Sequence, residues 1–207
     1  MPKPQTFKIL TLNAISAHGL NRFPTDRFQI GHEIAEPDAI LVRSHNMLSS
    51  AIPASVKAIG RAGAGINNIP VSAMNARGIP VFNTPGANAN AVKELVLASI
   101  LMTARHLVPA LQFVDTLQGD DTALNKQVEN EKKHFSGIEL PGRTLGVIGL
   151  GAIGRLVANS ALKLGMKVIG YDPKITVDSA WSLSANVKKA NSLEDLLRHS
   201  EFVSVHV

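Results

Sequence analysis

The sequence predicts an α/β protein built on parallel sheets. Three observations carry that prediction. Short apolar runs alternate with helical or loop segments through the first part of the chain. Another apolar run, Thr144–Ile148, leads directly into Gly149-Leu150-Gly151-Ala152-Ile153-Gly154, and a helical pattern follows. A further strand pattern then ends in Asp172, 18 residues after Gly154. Alternation of strand and helix makes the strands parallel, because each helix carries the chain back to the same end of the sheet.

Taken in order, residues 9–12 read as the first strand and Ala39–Val42 as the second. Residues 56–60 and 79–82 read as the third and fourth. Between those two, residues 71–78 read as a short helix closed by Gly78, since glycine takes the left-handed conformation of a helix end without steric penalty. Asn83-Thr84-Pro85-Gly86 breaks the pattern as a loop. Residues 88–107 are apolar at most positions, which predicts one long, buried helix. Residues 119–134 are polar and charged and read as an exposed arm or surface helix. After Thr144–Ile148 and the glycine turn, Ile153, Leu156, Val157, Ala161 and Leu164 recur at helical spacing, and Gly165 closes that helix. Lys167–Tyr171 reads as a strand, residues 192–198 as a helix and Phe202–Val205 as the last strand. The expected domains are residues 1–88 and 89–207. No internal repeat or low-complexity segment interrupts them.

The pattern G-x-G-x-x-G is weak alone and gains its meaning from context. Here an apolar strand precedes it and an amphipathic helix follows. Gly149 permits the tight turn. Gly151 offers no side chain, so a pyrophosphate can approach the backbone. Gly154 lets the helix pack against the strand. The first N–H groups of that helix have no intrahelical partner and carry partial positive charge. Asp172 can accept hydrogen bonds from a ribose diol and would repel a 2′-phosphate, which favours NAD over NADP. Lys174 could soften that preference, but Pro173 should turn it away.

The carboxyl ends of the earlier strands are also informative, because open α/β sheets bind ligands there. The second strand leads into Arg43-Ser44, the third into Arg61-Ala62-Gly63-Ala64-Gly65 and the fourth into Asn83-Thr84. Arginine grips a carboxylate or phosphate with two parallel hydrogen bonds. The Gly63-Ala64-Gly65 turn can add backbone N–H donors. The constellation fits a small anionic substrate.

Composition narrows the function classes. With 45% hydrophobic and 18% charged residues, the 207-residue chain is ordinary for a soluble domain. The net charge is +5, but Lys and Arg are scattered and aromatics make up only 4%. Nucleic-acid binding needs a clustered basic footprint, so it is not expected. The absence of cysteine removes disulfide and thiolate chemistry. The seven histidines, His18, His32, His45, His106, His134, His199 and His206, show no H-x-x-x-H spacing, so no metal site is expected. His106 is expected to help end the long helix. Met1-Pro2-Lys3-Pro4-Gln5 lacks the apolar core of a signal peptide. Residues 91–108 are interrupted by Lys93, Glu94 and Arg105, so they read as a core helix rather than a membrane span. A cytoplasmic enzyme is the expectation. No G-x-S-x-G elbow or P-loop points to a hydrolase or kinase.

Several stretches resemble the D-isomer-specific 2-hydroxyacid dehydrogenase family: Leu41-Val42-Arg43-Ser44, Ala58 to Ile69, Phe82 to Asn88 with Val92-Lys93-Glu94-Leu95, and Leu145 to Gly154. The resemblance covers nearly the whole chain. It implies a flavodoxin-like substrate domain and a Rossmann dinucleotide domain. It implies that Arg43, Ser44, Arg61 and Asn88 contact the substrate's anionic groups. Ala64 and Gly65 would lie against the substrate and the nicotinamide, with Gly63 beside them in the substrate-binding set. Gly149, Gly151, Ala152, Ile153, Gly154 and Asp172 would hold NAD. His206 ends the third strand of the dinucleotide unit, near the expected path of the ribose, and joins Val207 in the cofactor-binding set. The arm near Lys132 and Lys133 matches the part of the family that reaches a partner subunit, so a homodimer or homotetramer is expected.

The family's catalytic arginine, glutamate and histidine match no residue here, so no catalytic residue is assigned. Only 53 residues follow Gly154, which suggests the first βαβαβ half of a dinucleotide domain and none of the second. A chain of this extent is expected to be inactive by itself. The resemblance implies oxidation of D-3-phosphoglycerate to 3-phosphohydroxypyruvate, a step towards serine. The alternatives are another 2-hydroxy acid, such as glycerate or lactate, or a non-catalytic NADH-sensing protein.

Overall fold

Two separate parallel sheets organise the computed structural model, which describes residues 6–207. The stretch read above as no signal peptide, residues 1–5, lies outside the described residues. The chain divides into two compact units, Met1–Asn88 and Ala89–Val207.

The first sheet contains β1 (Phe7–Leu12), β2 (Phe28–Gly31), β3 (Ala39–Val42), β4 (Ala58–Arg61) and β5 (Val81–Phe82). Its order is β2-β1-β3-β4-β5 with every pair parallel, which is the flavodoxin-like order. Register places Leu10, Ile40, Ile59 and Val81 on one face. There they meet Met47, Val56, Ile69, Met74 and Ile79 to form the core of this unit. Short α1 (Ala17–Leu20) and α2 (Val71–Ala76) complete it, and Gly78 follows α2 at φ +69°.

Two strand assignments differ from the sequence expectation. β4 begins at Ala58, because Val56 donates its N–H to Pro53 in a turn. β5 shrinks to two residues because Pro80 has no N–H to give the ladder. β2 was not expected. It is a four-residue edge strand, held by the Phe28 ring against Phe7 at 5.9 Å and Phe23 at 5.2 Å.

The second unit opens with α3 (Ala89–Ala104) and α4 (Leu107–Val114), bent by 68° at Arg105–His106. The expected single helix therefore breaks. Pro109 is the cause: it cannot donate to the Arg105 carbonyl four residues back, and its ring would strike that carbonyl. His106 absorbs the break at φ +49°. The expected burial is also only partial. α3 buries Ala89, Ile100 and Ala104 but leaves Leu95 67% exposed, and α4 buries no residue. No single helix among the described residues is long and apolar enough to cross a membrane. The expected surface helix is α5 (Asp121–Glu131), capped by the Asp120 carboxylate accepting from Ala123 N–H at 2.9 Å. A 3-10 turn, Lys132–Phe135, follows it.

The second sheet has the order β8-β7-β6-β9, from β6 (Thr144–Ile148), β7 (Lys167–Tyr171), β8 (Val187–Lys189) and β9 (Phe202–Val205). All pairs are parallel. Leu145 and Val147 of β6 are fully buried, as expected for a strand covered on both faces. α6 (Gly154–Lys163) lays Gly154, Val157, Ala158 and Ala161 on the sheet. α7 (Val177–Trp181) and α8 (Leu193–Arg198) connect the later strands. This order corrects the count made from sequence. The strand between α7 and α8 had been missed, so Phe202–Val205 is the fourth strand and not the third. It lies on the far side of β6, where a Rossmann sheet begins its second half. The chain thus holds the complete first half and the opening strand of the second.

Candidate functional site

Both units gather their polar groups at the carboxyl ends of their strands. In the first unit, β3 runs buried to Val42 and releases Arg43 and Ser44 at the sheet edge. A pocket of about 520 Å³ opens there, within the ~300–1,000 Å³ usual for small-ligand sites. Arg43, Ser44, Arg61, Gly63, Ala64 and Asn88 line it. So do Ala14, Ile15 and Ser16, which sequence reasoning did not single out. Thr84 completes the polar wall.

Arg61 has a structural task as well. Its Nε donates to the Arg43 carbonyl at 3.0 Å, so it braces the loop carrying Arg43. Its guanidinium curls under the glycine-rich turn. A Cβ at Gly65 would lie 2.9 Å from Arg61 Nη1, so a side chain there would push the Arg61 guanidinium aside. Gly65 does not itself line the pocket. The Gly63 N–H is already given to the Arg61 carbonyl at 2.9 Å, which removes it as an anion donor. Asn83 Nδ2 donates to the Ala64 carbonyl, and Thr84 N–H to the Gly63 carbonyl at 3.0 Å, tying the turn to the end of β5.

In the second unit, the turn after β6 is held tight by two of its glycines and left open by the third. Gly149 sits at φ +84°, and a Cβ there would lie 2.4 Å from the His206 carbonyl oxygen. Gly154 is tighter still, because its Cβ would meet the Gly149 carbonyl oxygen at 1.9 Å. Gly151 differs: a Cβ there would meet nothing within 4 Å. Its lack of a side chain serves no internal packing and leaves open space over the backbone. Among the described residues, the N–H groups of Gly151, Ala152, Ile153 and Gly154 have no protein acceptor. These are the orphan donors of a helix N-terminus, ready for an anion.

Asp172 directly follows β7, with both carboxylate oxygens engaged. Oδ2 accepts the Leu150 N–H at 2.8 Å and Oδ1 the Lys174 N–H at 2.8 Å. A carboxylate has about four acceptor sites, so capacity for ribose hydroxyls remains. Beside it lies a pocket of about 550 Å³, lined by Leu150, Tyr171, Asp172, Pro173 and Ile175 among others. Pro173 lines it and Lys174 does not. The nearby cations instead come from Lys188 and Lys189 of β8, the strand that sequence reasoning missed. His206 is half-buried after β9. Its N–H donates to the Ile148 carbonyl at 2.7 Å, its Nε2 meets Ser204 Oγ at 2.8 Å, and burial holds its pKa below the ordinary value. Val207 is exposed next to the glycine turn, with Cγ1 3.0 Å from an ideal Gly149 Cβ.

Residues 97–207 match the family model for the D-isomer specific 2-hydroxyacid dehydrogenase NAD-binding domain, which is more than half of the chain. The chain belongs to that family. Its cofactor is NAD, and the orphan donors, the bare Gly151 backbone and Asp172 fit that group.

Other family members resemble it over most of its length. It is 38% identical to a D-3-phosphoglycerate dehydrogenase of Methanocaldococcus jannaschii, covering 84% of this chain and 32% of that protein. It is 39% identical to a hydroxypyruvate reductase of Thermotoga maritima, covering 84% of this chain and 52% of that protein. The chain thus spans about a third of the length of the curated phosphoglycerate dehydrogenase, 32%. Among solved structures, NAD+-bound 3-phosphoglycerate dehydrogenase of Entamoeba histolytica matches with a TM-score of 0.65 at 25% identity, covering 98% of this chain and 63% of that one. Holo D-mandelate dehydrogenase of Rhodotorula graminis matches with a TM-score of 0.72 at 26% identity, covering 100% of this chain and 66% of that one.

Proposed function

We propose that this chain supplies the NAD site and the substrate-anion site of a dehydrogenase that oxidises D-3-phosphoglycerate to 3-phosphohydroxypyruvate. The observation that carries the substrate reading is the pocket at the edge of the first sheet, with two arginines and a serine hydroxyl in its wall. A substrate carrying both a carboxylate and a phosphate matches two guanidinium groups better than a simple 2-hydroxy acid does. Asn88 and Thr84 add neutral hydrogen-bonding groups to the same wall.

NAD, when bound, supplies the hydride acceptor. The residues of the chain then have separate tasks. The N–H groups of Gly151 to Gly154 hold the pyrophosphate, and Asp172 holds the ribose. Arg43 and the terminal N–H groups of Arg61 grip the substrate's anionic groups, while Arg61 Nε holds the Arg43 carbonyl. No His, Asp, Glu or Lys lines the substrate pocket among the described residues, so the group that takes the hydroxyl proton is not part of this lining. Binding without turnover is therefore the expected behaviour of the 207-residue chain assayed alone. Calorimetry with NADH and with D-3-phosphoglycerate tests the reading. D-glycerate binding more tightly than D-3-phosphoglycerate would favour the second reading, a hydroxypyruvate- or glycerate-type enzyme. The relative from Thermotoga maritima, named as a hydroxypyruvate reductase and no less similar, motivates that alternative.

We also propose that the chain self-associates through α4. Leu107, Val108, Leu111 and Val114 of that helix are all exposed, and an apolar helix face left in water marks an association surface. In the neighbouring arm, Lys132 forms an exposed ion pair with Glu129. Leu111→Glu is expected to turn a dimer into a monomer in sedimentation. A wild-type chain that stays monomeric at all concentrations would sink this proposal.

A further inference from the structure

Asn13 follows β1 directly and holds φ at +68°, a left-handed conformation that residues with side chains seldom adopt. Among the described non-glycine residues, only His106 shares it. The side chain of Asn13 explains what sustains it. Oδ1 accepts the Ser44 N–H at 2.9 Å and also accepts the His45 N–H. One oxygen thus ties the end of β1 to the loop that leaves β3. These two strands flank the point where the order β2-β1-β3-β4-β5 changes direction, and open α/β sheets hold ligands in the crevice at such a point.

The same loop is gripped from its other side. Arg61 Nε donates to the Arg43 carbonyl at 3.0 Å, and Asn68 Nδ2 donates to the His45 carbonyl at 2.8 Å. The N–H groups of Ser44 and His45 therefore belong to Asn13, and the carbonyls of Arg43 and His45 to Arg61 and Asn68. With those groups consumed by the scaffold, Arg43 and Ser44 line the pocket. Asn13 does not line it.

We propose that Asn13 is a positioning residue for substrate binding. Its amide oxygen fixes the Arg43-Ser44-His45 turn so that the Arg43 guanidinium and the Ser44 hydroxyl meet the substrate's anionic group. The inference rests on reading that pocket as the substrate-anion site. Backbone strain of this kind persists only where surrounding bonds over-determine it, and the two N–H bonds do so here.

Two substitutions separate positioning from folding. Asn13→Gly removes the acceptor but also relieves the left-handed strain, so the unit should stay folded. Asn13→Asp keeps an acceptor oxygen. In calorimetry on the 207-residue chain, Asn13→Gly is expected to bind D-3-phosphoglycerate about tenfold more weakly, the effect of losing one to two net hydrogen bonds, with NADH affinity unchanged. In ¹⁵N–¹H spectra, the Ser44 and His45 amide signals should leave their hydrogen-bonded positions in Asn13→Gly and return in Asn13→Asp. Wild-type-like affinity in a folded Asn13→Gly would overturn the proposal. If that variant does not fold, Asn13→Asp decides: native amide positions support the proposal, and displaced ones overturn it. A wild-type chain that binds no D-3-phosphoglycerate would show itself before any variant is made, and it would overturn the site reading and this inference together.

Discussion

The two sheets carry their proposed anion sites at the same kind of place, built from different atoms. After β6 the donors are backbone N–H groups of Gly151 to Gly154, aimed by a helix start. At the edge of the first sheet they are side chains from separate strands, with Arg43 held by Arg61 and the loop held by Asn13. A backbone site depends on what is missing, namely side chains at three glycines. A side-chain site depends on what is present and on the bonds that aim it. The first should fail by steric intrusion, the second by loss of charge or of orientation.

Gly154→Ala should have the largest effect. Its Cβ would stand 1.9 Å from the Gly149 carbonyl oxygen, a backbone atom that cannot swing aside. A loss of about 3 kcal/mol in unfolding free energy is expected, at the upper end for overpacking, and denaturant titration measures it. A variant as stable as wild type would show that the turn is looser than described. Arg43→Ala should come next. Losing a charge-assisted contact of about 2 kcal/mol weakens D-3-phosphoglycerate binding roughly thirtyfold, with NADH affinity and stability unchanged. An equal loss of NADH affinity would break the proposed separation of the two sites.

Gly151→Ala sharpens the comparison, because nothing in the protein meets the new methyl group. The melting temperature should hold while NADH binding falls about tenfold, as the methyl enters the space reserved for pyrophosphate. A fall in stability without a fall in affinity would make Gly151 a folding residue instead. The smallest effect concerns His206. Burial lowers its folded pKa below the ordinary 6.5, so the unfolded chain takes up the proton first. Its contribution to stability is complete above pH 6.5 and is lost as pH falls from there through the lowered folded value. NMR titration should show His206 protonating later than an exposed histidine as the pH is lowered, and His206→Gln should flatten stability across that window.

What the sequence made legible follows the same division. The glycine turn is local, so its spacing and the placement of Asp172 could be read directly. The strand ends at Arg43, Arg61 and Asn83 were legible because buried apolar runs point to them. Asn13 was not legible, since its bonds join residues about thirty positions apart and depend on β1 lying beside β3. β8 was missed because a three-residue strand containing Lys188 and Lys189 gives no apolar run, and the strand count was wrong as a result. The break between α3 and α4 was legible in principle. Pro109 forbids a continuous helix through Arg105, but the surrounding apolar residues masked it.

The Asp172 carboxylate joins two recognition tasks that are usually discussed apart. One oxygen holds the Leu150 amide inside the glycine turn, and the same carboxylate is the group that would repel a 2′-phosphate in the proposed NAD site. In the proposed site, cofactor preference and turn rigidity therefore share one side chain. Redesign towards NADP by simply deleting this charge would slacken the pyrophosphate cradle at the same stroke, and affinity for both dinucleotides would suffer. Asp172→Asn removes the charge and keeps one acceptor oxygen, enough for the Leu150 N–H only if the new NH2 faces the Lys174 N–H, so one of the two bonds is given up. Lys188 and Lys189 line the same pocket and are the cations nearest to hand for an added phosphate.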